Sequence, residues 1–228
     1  MQAMKTPRAW LPALAMGVGA SLVGGVAVAD AGSCTIGDCI DGPGRYEFAG
    51  GARYEGGFKD GMRHGNGRYE YVGDGFYQGQ WRAGDKHGLG VREFGDGSSY
   101  EGDWRHNEMH GQGTYRYASG SVYQGDFENG YFSGEGQVRY ASGAQYIGQW
   151  KQDRKHGSGR YEFADGGVYD GQWRNDQMHG HGTYVYADGG RYVGQWKSHR
   201  QHGQGTSYLA DGTVLFRGEF ADDKPVKK

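Results

Sequence analysis

Six histidines, His64, His87, His110, His156, His179 and His202, each stand directly before a glycine and six residues after an aromatic side chain. Imidazole at a fixed place beside an aromatic ring and a flexible Gly invites a general-base or zinc-ligand reading. Repetition argues against both, because a catalytic constellation is unique in its chain and six copies at one spacing are architecture. Distance argues against a shared metal. On paired strands, motif histidines of neighbouring copies lie ~9.6 Å apart, whereas two nitrogens on one zinc, each ~2.0–2.1 Å from it, are at most ~4 Å apart. The closer pairs His179/His181, His106/His110 and His199/His202 have no evident third ligand. No metal and no cofactor is expected. G-x-S-x-G, H-E-x-x-H and G-x-x-x-x-G-K-[ST] are absent, so no catalytic residue is nominated and the chain reads as non-enzymatic.

The other reactive pair is Cys34 and Cys39 in CTIGDC, the only cysteines of the chain. In an oxidising compartment they read as a small local disulfide. The rival is a redox dithiol, but the spacing is not C-x-x-C and no βαβ pattern follows. The segment ahead of them bears on the compartment. MQAMKTPRAW carries Lys5 and Arg8, LPALAMGVGASLVGGVAVA is uncharged, and Ala27-Val28-Ala29 puts small residues where a signal peptidase cuts, before Asp30. Residues 1–29 therefore read as a cleaved secretory signal peptide. An uncleaved anchor is the rival, since the apolar run is about long enough to span a bilayer. The expected location is the periplasm or cell envelope. Without residues 1–29 the chain holds 23 Lys and Arg against 27 Asp and Glu, a formal charge of −4. That balance disfavours nucleic acid as a partner and speaks against electrostatic adhesion to anionic lipid.

The elements that position these residues follow from a repeat. Glycine fills 47 of the 228 positions and tyrosine 18, whereas proline fills 4, and aliphatic residues are rare after residue 30. Any core must be built from Tyr, Trp and Phe. Self-alignment gives a 23-residue period with full units beginning at Tyr54, Tyr77, Tyr100, Tyr123, Tyr146, Tyr169 and Tyr192. A half unit precedes them from Gly42 and a fragment, FRGEF, follows from Phe216. The repeat region is taken as 42–220, with 30–41 as an N-terminal segment and 221–228 as a charged tail. In each unit Gly follows the Tyr by two residues, and Trp or Phe follows it by four. Aromatics alternate again after the His-Gly, as in Tyr69/Tyr71 and Tyr161/Phe163. Period-two spacing is a strand signal, so each unit reads as a β-hairpin with one aromatic-glycine face and one solvated face carrying Gln80, Asp103, Gln149 and Gln172. The segments AGDKHG and RNDQMHG are expected to make one turn, which places the His in it, and ADGG or ASGS the other. The glycine notch is expected to receive a ring from an adjoining strand.

The phrase YQGQWRAGDKHGLG, from Tyr77, resembles the MORN repeat (membrane occupation and recognition nexus), whose pattern is essentially Y-x-G-x-W-x-x-G-x-x-H-G-x-G. The resemblance recurs seven times and covers roughly residues 42–220. It implies an all-β fold, an elongated, twisted antiparallel meander of stacked hairpins forming a single-layer, groove-like sheet. It also implies a scaffold or membrane-junction protein rather than an enzyme. Exported bacterial versions with a signal peptide and a Cys pair before the first repeat are similar to this chain.

A single-layer aromatic face is expected to leave a long apolar strip, and such strips mark interaction sites. The residues nominated for binding are Trp81, Trp104, Trp150, Trp173 and Trp196 with Tyr77, Tyr100, Tyr146, Tyr169 and Tyr192. A protein partner or a second copy of the chain is the expected ligand. Membrane lipid is the alternative, through basic stretches at 151–157 and 197–203, and glycan is a further one. Two places break the period. The fourth unit has Phe127 for Trp and Ser133 for His, read as drift or as a contact site, and the first ends in VGDGF, read as a capping adjustment.

Overall fold

The computed structural model describes residues 32–226, and the expected signal peptide lies outside the described residues. Every regular element among the described residues is a strand. They form two compact units that divide between Ala118 and Ser119. The first holds β1 (Ser33–Gly37), β2 (Gly42–Glu47) and three hairpins: β3 (Arg53–Lys59) with β4 (Met62–Glu70), β5 (Phe76–Arg82) with β6 (Asp85–Glu93), and β7 (Ser99–Arg105) with β8 (Glu108–Arg116). The second holds β9 (Val122–Glu128) with β10 (Tyr131–Arg139), β11 (Gln145–Lys151) with β12 (Arg154–Glu162), β13 (Val168–Arg174) with β14 (Gln177–Val185), β15 (Arg191–Lys197) with β16 (Arg200–Tyr208), and β17 (Val214–Ala221) with β18 (Lys224–Pro225). Within each unit successive strands pair antiparallel, so the fold is the all-β meander of hairpins that the repeat predicts. The last hairpin runs into the segment read as a tail, with Phe216 and Phe220 in the Tyr and Trp places.

The turns differ from the expectation, and the difference moves the histidine. Each repeat hairpin closes through two residues, such as Ala83-Gly84 at φ 50° and 86°, or Asn175-Asp176 at 49° and 68°. Positive φ at both central residues gives the twist that matches flanking strands. The His therefore lies beyond the turn, inside the second strand, as His87 does in β6 and His179 in β14. A bulge follows it. β7 and β8 pair Gly102 with Gly113 and Asp103 with His110, which leaves Gly111 and Gln112 unopposed. Gly111 has φ 56°, a conformation that glycine adopts without strain. The recurrent His-Gly thus sets a bulge. Residues read as merely solvated close it, because the Asp103 carboxylate accepts the Gln112 N–H at 3.1 Å and the Gln172 amide oxygen accepts the His181 N–H at 2.8 Å.

The glycine notch is also filled differently. Gly79 of β5, the glycine between Tyr77 and Trp81, faces Gly90 of β6, and a Cβ on Gly79 would lie 2.6 Å and one on Gly90 2.4 Å from the Tyr77 hydroxyl oxygen. The ring in the notch belongs to the same strand, not to an adjoining one. The register shift between Gly79 and Trp81 bends the strand there, and the Tyr two residues earlier folds over both glycines. Its hydroxyl donates to the Gln80 carbonyl at 2.9 Å.

Candidate functional site

The ten aromatic residues nominated for binding are core residues. Trp81, Trp104, Trp150, Trp173 and Trp196 are 3–6% exposed, and Tyr77, Tyr100, Tyr146, Tyr169 and Tyr192 are fully buried. The expectation of an exposed aromatic strip is corrected for a geometric reason, since each ring is used up by its neighbours. Tyr77 lies edge-on to Trp81 of its own repeat at 5.1 Å and to Trp104 of the next at 5.2 Å, and Tyr146 repeats this with Trp150 and Trp173 at 5.1 and 5.4 Å. Such pairs add about 0.5–1.5 kcal/mol each beyond area burial. Polar atoms are satisfied internally as well. The Trp81 indole N–H donates to the Gly67 carbonyl at 3.1 Å, and Trp173 donates to Gly159 at 2.9 Å.

The ladder is covered by a row that the sequence reading missed, the residue just before each motif His. A two-residue turn mirrors this position onto the Trp, so Trp81 pairs with Lys86, Trp104 with Met109, Trp150 with Lys155 and Trp173 with Met178. Drawing the turn too wide hid that pairing. Three of these residues are cations. Arg63 stands 4.3 Å from the Trp81 ring and donates to the Gly84 carbonyl at 2.7 Å. The Lys86 amine stands 4.4 Å from the Trp104 ring, a favourable site for a desolvated cation. Burial, and then Arg92 and Arg63, lower its pKa to about 7. Lys155 has a different environment, with Asp176 at 3.4 Å and the Tyr140 hydroxyl at 3.5 Å. Burial lowers its pKa and Asp176 raises it. In the fourth repeat Phe132 takes this place and stacks on Tyr123 at 3.6 Å, 5° from parallel, beside the smaller Phe127. The VGDGF departure also has a role beyond capping. It supplies Asp74, which pairs with the buried Arg92, while Arg92 lies 3.9 Å from the Tyr71 ring.

With the aromatics enclosed, the chemistry available to a ligand is on the other face. In the first unit the register sets Arg45, Glu55, Arg68, Gln78, Val91, Glu101 and Thr114 in one cross-strand row. A groove of about 1000 Å³ opens over this row, floored by backbone at the paired glycines and carrying Phe76, Leu89 and Val91. Cys34 and Cys39 form a disulfide at the start of this unit. The motif histidines do not converge. The His156 Nδ1 is enclosed without a hydrogen-bond partner, and among the described residues no three His, Cys, Asp or Glu come close enough to hold a metal ion.

Comparison with known proteins agrees with this geometry. The MORN-repeat family model matches residues 54–75, 77–99, 100–122, 123–145, 146–168, 169–191 and 192–214. No curated protein sequence matches the chain. Among solved structures, the TCP domain of Drosophila melanogaster SAS-4 (dCPAP), in complex with a proline-rich motif of Ana2 (dSTIL), is 14% identical with a TM-score of 0.38. That match covers 88% of this chain and 98% of that one. The wild-type TCP10 domain of Danio rerio CPAP is 11% identical with a TM-score of 0.38, over 78% of this chain and 90% of that one. Likenesses this distant carry no argument about partners. The seven consecutive family matches do bear on identity, since each begins at the Tyr in the first strand of a hairpin and runs through the second strand up to the next hairpin, and on that ground the chain belongs to the MORN-repeat family.

Proposed function

We propose that this chain is a non-enzymatic scaffold of the cell envelope that binds a protein partner through the open face of its repeats. The observation that carries this reading is the division of labour within the hairpin. Core positions repeat nearly unchanged, whereas the open-face position after each leading Tyr reads Glu55, Gln78, Glu101, Gln124, Ile147, Asp170 and Val193. Varied side chains on a fixed frame are what repeat proteins use for extended recognition surfaces. Export is supported by the N-terminal pattern and by the Cys34–Cys39 bridge, which an oxidising compartment sustains.

Lipid binding, the alternative, loses part of its basis. Of the basic stretch at 151–157, Lys155 is buried against the aromatic ladder, and Arg200 in the stretch at 197–203 is paired with Asp222 at 3.1 Å. The test is in-cell photo-crosslinking from Ile147, 53% exposed on the open face, with Asn175 in a turn as the control. A protein adduct formed from Ile147 and not from Asn175 is the expected result. Adducts with lipid alone would replace this reading with the membrane one.

A further inference from the structure

The groove in the first unit breaks the repeat pattern in a way that selects a ligand. Twelve and fourteen residues after the leading Tyr, the second repeat carries Leu89 and Val91, where the other repeats carry polar or charged side chains. Leu89 is 63% exposed. Phe76 lies on the same face, with its ring 3.6 Å from the Arg68 guanidinium. The charges around this apolar spot are divided. On the β2–β4 side they pair with one another, since Arg45 holds Glu55 at 2.8 Å and Arg53 and Arg68 both hold Glu70. On the β6–β7 side they do not. Glu101 sits directly across from Val91, and Glu93 lies two residues beyond Val91 on the same face. Both are exposed, and neither carboxylate has a cation partner among the described residues, since Arg92 donates to the Glu93 backbone carbonyl instead.

We propose that this groove docks a polypeptide segment that sets an aliphatic side chain on Leu89 and Val91 and a Lys or Arg on Glu101, with a second cation at Glu93. The inference rests on the protein-binding reading above and deepens it. The apolar floor supplies burial, and the uncompensated carboxylates supply complementarity, which governs specificity and encounter rate more than raw affinity. Val91 on β6 and Glu101 on β7 lie one strand spacing apart, ~4.8 Å, so the cation lies within about two residues of the aliphatic side chain in an extended segment.

The probes are three fluorescein-labelled synthetic peptides of equal length titrated against the full exported chain. One has leucine and valine flanked by lysines, one has glutamates in place of the lysines, and one has serines in place of the aliphatics. The lysine-aliphatic peptide is expected to bind at least about tenfold tighter than either other peptide, and to weaken with salt. E101K combined with E93K should lose that peptide about tenfold and gain the glutamate one, while L89S weakens it several-fold. Circular dichroism checks that these exposed substitutions leave the fold intact. Equal binding of all three peptides, or of one peptide by wild type and E101K/E93K alike, would overturn the proposal. So would failure of every peptide to bind. Repeating the Ile147 crosslinking in the E101K/E93K chain separates the two readings. Protein adducts that persist there, beside a failed titration, remove the groove and leave protein binding standing.

Discussion

Lys86 and Lys155 occupy the same place in their repeats, nine residues after the leading Tyr, and meet opposite electrostatic surroundings. Each backbone N–H is held by the second turn residue of the following repeat, Lys86 by Asn107 at 2.9 Å and Lys155 by Asp176 at 3.0 Å. The one-atom difference between amide and carboxylate decides the rest. Asp176 also reaches the Lys155 amine. Asn107 instead donates to Asp85 at 2.5 Å, and the Lys86 amine faces the Trp104 and Tyr77 rings, where burial, Arg92 and Arg63 outweigh Asp74 and Asp85. The frame therefore tolerates a buried cation in two ways, by pairing it or by letting it shed its proton.

That comparison can be broken from either side. The largest effect is expected from Asp176→Asn, which strips Lys155 of its carboxylate and leaves a buried charge unpaired. Urea unfolding should show a loss of about 3 kcal/mol, and an unchanged midpoint would mean that the pair contributes nothing. The converse change, Asn107→Asp, exchanges the donor that Asp85 accepts from for a second carboxylate beside it. It should cost about 1–2 kcal/mol in urea unfolding at pH 8, with a smaller cost at pH 4, where the carboxylates take up protons. Tyr77→Phe and Tyr146→Phe sharpen the comparison as internal standards. Each removes a hydroxyl that donates to a backbone carbonyl at 2.9 Å, and both should cost about 1 kcal/mol. Unequal costs would show that the two cores differ in more than the lysine.

The smallest effect is a slope with pH. Lys86 titrates at about 7 in the folded chain and near ~10.4 when unfolded. Between these values the unfolded state binds the extra proton, so stability rises with pH across that window. Above pH ~10 the sign reverses, because burial raises the folded tyrosines, Tyr115 to about 12, and the unfolded state releases its protons first. Thermal melting of wild type should climb from pH 7 to 9.5 and then fall, and Lys86→Met should flatten the climb. An equal climb in Lys86→Met would assign the slope to another group.

Most of the fold was legible because glycine and aromatic residues recur at spacings that only paired strands satisfy. Tyr77 and Trp81 were rightly set on one face. Their exposure was misjudged, because sequence spacing within a strand does not reveal what lies across the turn. Lys86 reads as a surface residue until a two-residue turn places it opposite Trp81. The His-Gly was recognised as architecture but assigned to the turn. What identifies it as a bulge is a pairing register, which depends on the partner strand. Leu89 and Val91 depart from the period in the sequence itself, but only the pairing register places Val91 between Gln78 and Glu101 on the open face.

The hydrogen bonds of the two aromatic rows carry a consequence for how such a chain changes length over generations. Each Tyr hydroxyl closes on its own repeat, while each indole N–H closes on the glycine carbonyl of the repeat before it. A copied or lost block of DNA that encodes one whole period therefore rejoins the same donor to the same kind of acceptor on both sides. The array can be lengthened or shortened in whole modules without a compensating mutation, and its history is expected to be one of duplications rather than point insertions.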